Sequence, residues 1–146
     1  MDLTFFSFIT VALLLTAFAC TNSNADLSSK TIEEVALLIN EEVGTADADS
    51  ADRCDFIPIG VKPAGGPWGY LVFSSEKSSR ERLEELIDRY NELDAERNIE
   101  DERMSTADFA TEPALTLRNG ACYGEGQYAW NPGDILDFNN IERDQS

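Results

Sequence analysis

Residues 3–19 form an uncharged, mostly apolar run that stops directly before Cys20. A run of this length near the start of a chain is typical of the hydrophobic segment of a secretory signal peptide, and it is short for a membrane span. Ala17 and Ala19 place small residues where a signal peptidase reads the chain. We therefore predict that residues 1–19 are a signal peptide. The rest of the chain then has to fold outside the cytoplasm, where cysteines oxidise.

Cys20 leaves three alternatives for the N-terminus. Cleavage before Cys20 would expose an N-terminal cysteine for lipidation, and in this respect the segment resembles a bacterial lipoprotein signal. Cleavage at an ordinary site would leave a free thiol, and an uncleaved segment would be an anchor helix. We favour lipidation of Cys20, because the polar residues 20–30 suit a flexible tether to a folded domain. Thr21, rather than an aspartate, follows the cysteine, which by resemblance to enterobacterial sorting favours the outer membrane.

The other two cysteines, Cys54 and Cys122, lie 68 positions apart. In an oxidising compartment a disulfide between them is the default expectation. Closing so long a loop contributes about 4 kcal/mol in the chain-entropy model. The alternative is a reactive or metal-binding pair, but the sequence has no histidine and no CxxC spacing to support it. We predict a structural disulfide, no metal site and no cofactor.

Two segments have the apolar spacing of helices. Residues 31 to about 43 repeat apolar side chains at helical intervals, and Thr31 with Glu34 forms a capping box. Residues 78 to about 103 form a longer amphipathic helix, for which Ser78 and Glu81 are the expected capping box.

Four segments read as strands: residues 56–62, 68–73, 113–118 and 121–123. Pro58 places the first at a sheet edge, whereas apolar residues on both faces make the second central. Asn119-Gly120 predicts a tight hairpin turn between the last two. The predicted fold class is α+β: a small antiparallel sheet of about four strands, with the long helix and the shorter N-terminal helix packed on it. It is one domain over residues 31–123, followed by a partly ordered acidic tail over residues 124–146.

The loop between the first two strands is the candidate partner-binding site. Rigid loops that carry aromatic residues lose little entropy on binding. The candidate contact residues are Lys62, Gly65, Gly66, Pro67, Trp68 and Tyr70. The alternative is that the glycines and prolines only turn a hairpin and that Trp68 is a core residue.

Several of these residues form a pattern that resembles a small family of uncharacterised secreted or lipid-anchored bacterial proteins. The matching residues are Cys54, Ile57-Pro58-Ile59-Gly60, Lys62, Gly65-Gly66-Pro67, Tyr70-Leu71, Glu112-Pro113, Asn119-Gly120 and Cys122. The resemblance covers about half of the chain and implies a fold and a compartment, but no activity. The family carries cysteines where this chain has Ala64 and Ala107. If those cysteines pair, the resemblance implies that the loop lies near residue 107.

Charge limits the classes of function. The chain has 28 acidic and 11 basic residues, a formal net charge of -17, which disfavours nucleic acid and anionic lipid as partners. The absence of histidine removes the commonest general base, and Glu112 is the only isolated carboxylate near strand residues.

We predict a non-catalytic binding module of the bacterial cell envelope, attached to the membrane through an N-terminal lipid on the periplasmic or surface face. Its expected partner has a basic surface, such as a lysozyme or protease that the module restrains. The alternatives are a carboxylate-dependent hydrolase, a structural envelope lipoprotein and, without lipidation, a secreted protein.

Overall fold

The computed structural model describes residues 27–104 and 108–134. The segment predicted to be a signal peptide, residues 1–19, and Cys20 lie outside these residues. The helices are α1, Ile32–Val43, and α2, Arg80–Glu100, and a short 3-10 turn covers Ala51–Arg53. The strands are β1 (Cys54–Ile59), β2 (Gly69–Ser74), β3 (Ala114–Arg118), β4 (Ala121–Glu125) and β5 (Ala129–Trp130). None of the helices within the described ranges is long and apolar enough to cross a membrane.

Helix α1 begins as its sequence predicts. The Thr31 hydroxyl accepts a hydrogen bond from the Glu34 amide at 3.3 Å, and the Thr31 amide donates to the Glu34 carboxylate at 2.8 Å. This capping box satisfies amides that lack a partner in the first turn. The buried face of α1 packs against α2; it consists of Ile32, Val35, Ala36, Ile39 and Val43.

Helix α2 is capped one residue later than predicted. Ser79, not Ser78, accepts the hydrogen bond from the Arg82 amide. The Ser78 amide instead donates to the Ser74 carbonyl at 2.9 Å, because a tight turn from the end of β2 still includes it. Helical spacing predicts an apolar stripe on α2. Four of its members are buried and the fifth, Leu93, is partly buried; the buried ones are Leu83, Leu86, Ile87 and Tyr90.

The five strands form two sheets, so the α+β class is confirmed, but the strands are arranged differently from one sheet of four. Strand β2 lies between β1, to which it is antiparallel, and the short parallel strand β5. Strand β1, with Pro58, is at an edge, as predicted. Strands β3 and β4 form a separate two-stranded sheet, and Ala121 of β4 also forms an isolated antiparallel bridge with Asp47.

The second sheet packs onto the first at Gly124. A Cβ atom at this position would lie 2.7 Å from the Val72 side chain, so β4 approaches β2 closely only because residue 124 is glycine. The Asn131 side chain closes the same corner, since it accepts from the Gly124 amide at 2.6 Å and donates to the Gly124 carbonyl at 3.1 Å. The fold therefore continues past the predicted boundary at residue 123 and includes at least residue 131. Residues 135–146 of the predicted tail lie outside the described residues.

The disulfide between Cys54 and Cys122 is confirmed, with 5.3 Å between the Cα atoms. It joins the start of β1 to β4 and thus links the two sheets. Both positions in the adjacent Asn119-Gly120 turn have positive φ, +54° and +81°, as the predicted hairpin turn requires. A disulfide in this position suggests that the protein folds in an oxidising, extracytoplasmic compartment.

Candidate functional site

Residues 60–68 connect β1 to β2 and form the predicted binding loop. The Lys62 amide donates to the Gly66 carbonyl and the Gly65 amide donates to the Lys62 carbonyl, both at 2.8 Å. These reciprocal bonds close a tight turn. Its outermost residues, 63–66, are exposed, and we refer to them as the loop tip.

Three polar side chains of α2 hold the base of this loop. The Gly60 amide donates to Asn91 Oδ1 at 2.7 Å, and the Val61 amide donates to Asp94 Oδ2 at 2.9 Å. Asn98 Nδ2 donates to the Val61 carbonyl at 2.5 Å. We call Asn91, Asp94 and Asn98 the polar clamp. Because Gly60 and Val61 follow the end of β1, these side chains supply partners that a neighbouring strand would otherwise supply.

Asp94 is the centre of the clamp and is only 1% exposed. Its Oδ2 also accepts from the Trp68 indole N–H at 3.0 Å, and its Oδ1 accepts from the Arg97 guanidinium at 2.9 Å. Both carboxylate oxygens therefore have donors, as a buried charge requires. The carboxylate joins α2 to both ends of the loop.

Tyr90 is buried one turn before Asp94. Burial, and to a smaller extent the negative charge of Asp94, raise the pKa of the Tyr90 hydroxyl. The Arg97 guanidinium, which hydrogen-bonds this hydroxyl, opposes that rise. The polar groups beneath the loop thus form one connected network.

Lys62 is not the surface cation that the sequence suggests, since it is only 4% exposed. Its ammonium donates to the Asp108 carbonyl at 3.1 Å and pairs with the Asp108 carboxylate at 3.3 Å. It also lies 5.6 Å from the ring centroid of Trp68 and 5.4 Å from that of Tyr128, within the range of cation–π attraction. Lys62 therefore anchors the loop to the segment that begins at residue 108.

The same segment has two further contacts with aromatic side chains. The Tyr128 hydroxyl donates a short hydrogen bond to the Asp108 carboxylate, and this bond raises the pKa of Tyr128. The Tyr70 hydroxyl donates to the Ala110 carbonyl at 3.3 Å. The position implied for residue 107 lies outside the described residues, but its neighbour Asp108 does contact the loop.

The candidate residues thus divide into two groups. Gly65 and Gly66 are exposed at the tip, and Pro67 is half-buried beside it. Trp68 and Tyr70 are half-buried, and their polar atoms bond within the protein. Of these candidate residues, those of the tip and Pro67 beside it are therefore the ones most available to a partner.

Gly60 allows the loop to leave the sheet. It has a φ of +78°, and a Cβ atom there would lie 2.5 Å from the Trp68 ring. A larger residue would strain the backbone and collide with the indole.

The polar clamp was missed from the sequence, because its members lie in the charged second half of α2. One signal could have identified two of them. Tyr90, Asp94 and Asn98 are four residues apart, so they continue the buried stripe that starts at Leu83. A carboxylate on such a stripe is expected to have bonding partners inside the protein.

The described residues include no group of three or more His, Cys, Asp or Glu side chains placed to hold a metal ion. Glu112, the isolated carboxylate identified from the sequence, is exposed. Glu112 is therefore open to solvent, whereas an acid catalyst typically lies in an apolar pocket.

A shallow depression of about 240 Å³ lies where the start of the described chain meets α2. Arg89 lines this depression, and its guanidinium donates to the Ser28 carbonyl and to the Glu92 carboxylate, both at 3.1 Å. These contacts tie residue 28 to α2 and occupy both terminal nitrogens of the guanidinium.

No protein-family model, curated protein or solved structure matches the chain, so its function has to be inferred from the loop, the residues that hold it and the distribution of surface charge.

Proposed function

We propose that this protein is a non-catalytic binding module of the bacterial cell envelope, whose loop docks into a basic partner such as an envelope enzyme that it restrains. The observation that carries the proposal is an exposed loop tip without charge, fixed at its base by buried polar contacts. A loop that is ordered before binding loses less conformational entropy in the complex.

The rigidity of the loop comes from several elements at once. Backbone bonds close the turn, the polar clamp fixes residues 60 and 61, and the Trp68 indole is tied to Asp94. Lys62 adds a contact with the segment after α2. The tip itself offers Pro63, Ala64 and two glycines, which favour a complementary cleft over a flat surface.

Surface charge supports a basic partner. Residues 26–55 carry nine acids against two bases, and residues 76–103 carry eleven against six. Residues 56–75 contain no acid, and their one base, Lys62, is paired with Asp108. A neutral loop within an acidic surface would attract a basic protein over a distance without repelling it on contact.

Membrane attachment through a lipid on Cys20 is part of the same proposal. It is supported by the apolar run before Cys20 and the polar residues after it. Replacement of Cys20 with serine should release the protein from the membrane fraction and abolish metabolic labelling with a fatty acid. Retention of both properties in C20S would contradict lipidation.

Binding through the loop is tested with two matched variants. Ala64→Arg places a long cation on the tip, whereas Ala51→Arg places the same side chain on the exposed turn before β1. The two sites lie beyond opposite ends of β1, whose six residues span about 17 Å.

Tagged wild-type protein and both variants would be used to capture partners from envelope extract, with quantitative mass spectrometry. We expect a protein of basic isoelectric point that A64R loses and A51R retains, and whose hydrolytic activity falls when wild-type protein is added. The loop proposal fails if no protein depends on residue 64, or if the captured protein is acidic.

A further inference from the structure

Exposed apolar side chains cluster in the chain next to the loop. In the described residues, the large hydrophobic side chains that are most exposed are Ile99 at 80%, Met104 at 87% and Phe109 at 87%. Leu37, at 62%, is on the other helix. Because most large apolar residues of this small domain are buried, three on neighbouring stretches need an explanation.

Two contacts place the backbone at Ile99 and at Phe109 close to the base of the loop. Asn98, which precedes Ile99, donates to the Val61 carbonyl at 2.5 Å. Asp108, which precedes Phe109, binds the Lys62 ammonium through its carbonyl at 3.1 Å. Ile99 and Phe109 are therefore each one residue away from a direct contact with the base of the loop. We call Ile99, Met104 and Phe109 the apolar flank.

Acidic residues lie next to the flank in the chain. Glu100, Asp101 and Glu102 are exposed between Ile99 and Met104. The base in that stretch, Arg103, lies 3.4 Å from the Asp101 carboxylate and so offsets one of the three charges. An apolar contact within negative charge is complementary to a segment that presents apolar side chains between lysines or arginines.

Charge also argues against two other occupants of the flank, a second copy of the chain and the chain's own last residues. A second copy of the chain carries the same net charge of -17, so its approach is opposed by repulsion. The chain's own last residues, 135–146, carry Asp137, Glu142 and Asp144 against Arg143, so they too have the wrong sign.

We infer that the apolar flank is a second part of the binding surface and that it receives a basic, amphipathic segment of the partner. This inference rests on the proposed function and names the chemistry that the partner has to present. The loop tip supplies shape, the flank supplies apolar area, and the surrounding carboxylates select for positive charge.

Synthetic peptides of defined sequence test the flank directly and do not require the partner to be identified. One probe is a fluorescent helical peptide of leucine and lysine with one apolar face, and the other replaces its leucines with serine at equal charge. Both are titrated, by fluorescence anisotropy, with the full-length protein, with I99S/F109S and with the control L37S, which removes an exposed leucine elsewhere.

We expect wild-type protein and L37S to bind the leucine–lysine peptide about tenfold more tightly than the serine–lysine peptide. In I99S/F109S this preference should disappear. The inference is overturned if the double variant retains the preference, if L37S loses it as well, or if wild-type protein never shows it. It is also overturned if the flank instead mediates self-association, seen as a dimer in sedimentation that I99S/F109S abolishes.

These outcomes are separate from those of the loop test. Loss of peptide preference in I99S/F109S, with no partner that depends on residue 64, supports the flank and refutes the loop. A partner lost in A64R, with peptide binding unchanged in I99S/F109S, supports the loop and refutes the flank.

Discussion

Replacing Asp94 with alanine should destabilise the protein more than the loss of any exposed carboxylate. The side chain is 1% exposed and accepts hydrogen bonds from the Val61 amide, the Trp68 indole and the Arg97 guanidinium. Alanine removes both acceptor oxygens, so that all three donors lose this partner, and it leaves the Arg97 guanidinium, whose side chain is only 21% exposed, without the Asp94 carboxylate.

The magnitude follows from the burial of these donors. Removing one partner of a buried ion pair costs about 3–5 kcal/mol, because the other charge stays buried without compensation. Arg97 is partly exposed, so water recovers some of that cost, but two further donors lose their acceptor at about 1–3 kcal/mol each where water cannot reach them. Val61 and Trp68 are also partly exposed, and costs within one network do not add, so we expect D94A to lower the free energy of unfolding by about 3–5 kcal/mol in total.

The assay is equilibrium unfolding in urea, followed by tryptophan fluorescence. Glu96→Ala is the matched control, because it removes an exposed carboxylate two residues away on the same helix. It should change stability by no more than about 0.5 kcal/mol. Asp94→Asn keeps one carbonyl acceptor, so its loss of unfolding free energy should lie between those of D94A and E96A. If D94A and E96A have equal effects, or if D94A costs less than about 1 kcal/mol, the clamp does not hold the loop as described.

Three further predictions concern other parts of the fold. The double variant C54A/C122A should lose about 4 kcal/mol of unfolding free energy in urea. A reducing agent should not destabilise this variant further. A urea midpoint equal to that of the wild type would mean that the disulfide does not stabilise the fold. Because the pKa of Tyr90 is raised in the folded state, its contribution to stability is fully present below the unfolded value of 10.0 and is lost as pH rises above it. The urea midpoint should therefore fall above pH 10 in the wild type and fall less in Y90F; equal slopes would rule out this tyrosine as the cause. Gly60→Ala should lower stability more than Gly65→Ala, because both positions have positive φ but only a Cβ at residue 60 would collide with the Trp68 indole. Equal melting temperatures for the two variants would contradict this close contact.

The features that the sequence predicts correctly depend on residues close together in the chain. The capping box of α1 spans four residues, and the turn at Asn119-Gly120 needs only local φ preferences. The disulfide is an exception, because its two cysteines are 68 positions apart. Its prediction rests on the oxidising compartment and on the number of cysteines, since only two remain once Cys20 is assigned to the N-terminus. The helix and strand segments follow from apolar periodicity for the same local reason.

The tertiary structure alone decides how these elements combine. Short β5, with its two residues, occupies the edge of β2, so the β3–β4 hairpin packs on a face rather than joining one sheet. It also decides that Lys62 turns inward to Asp108, a residue 46 positions away. The sequence by itself determines the exposed tip of the loop, since glycine and proline specify a turn wherever the chain places them. What holds the tip depends on Asp94 and its donors, which come together only when α2 packs beneath the loop. These donors matter because a carboxylate that is buried away from water is stable only when hydrogen bonds replace its hydration.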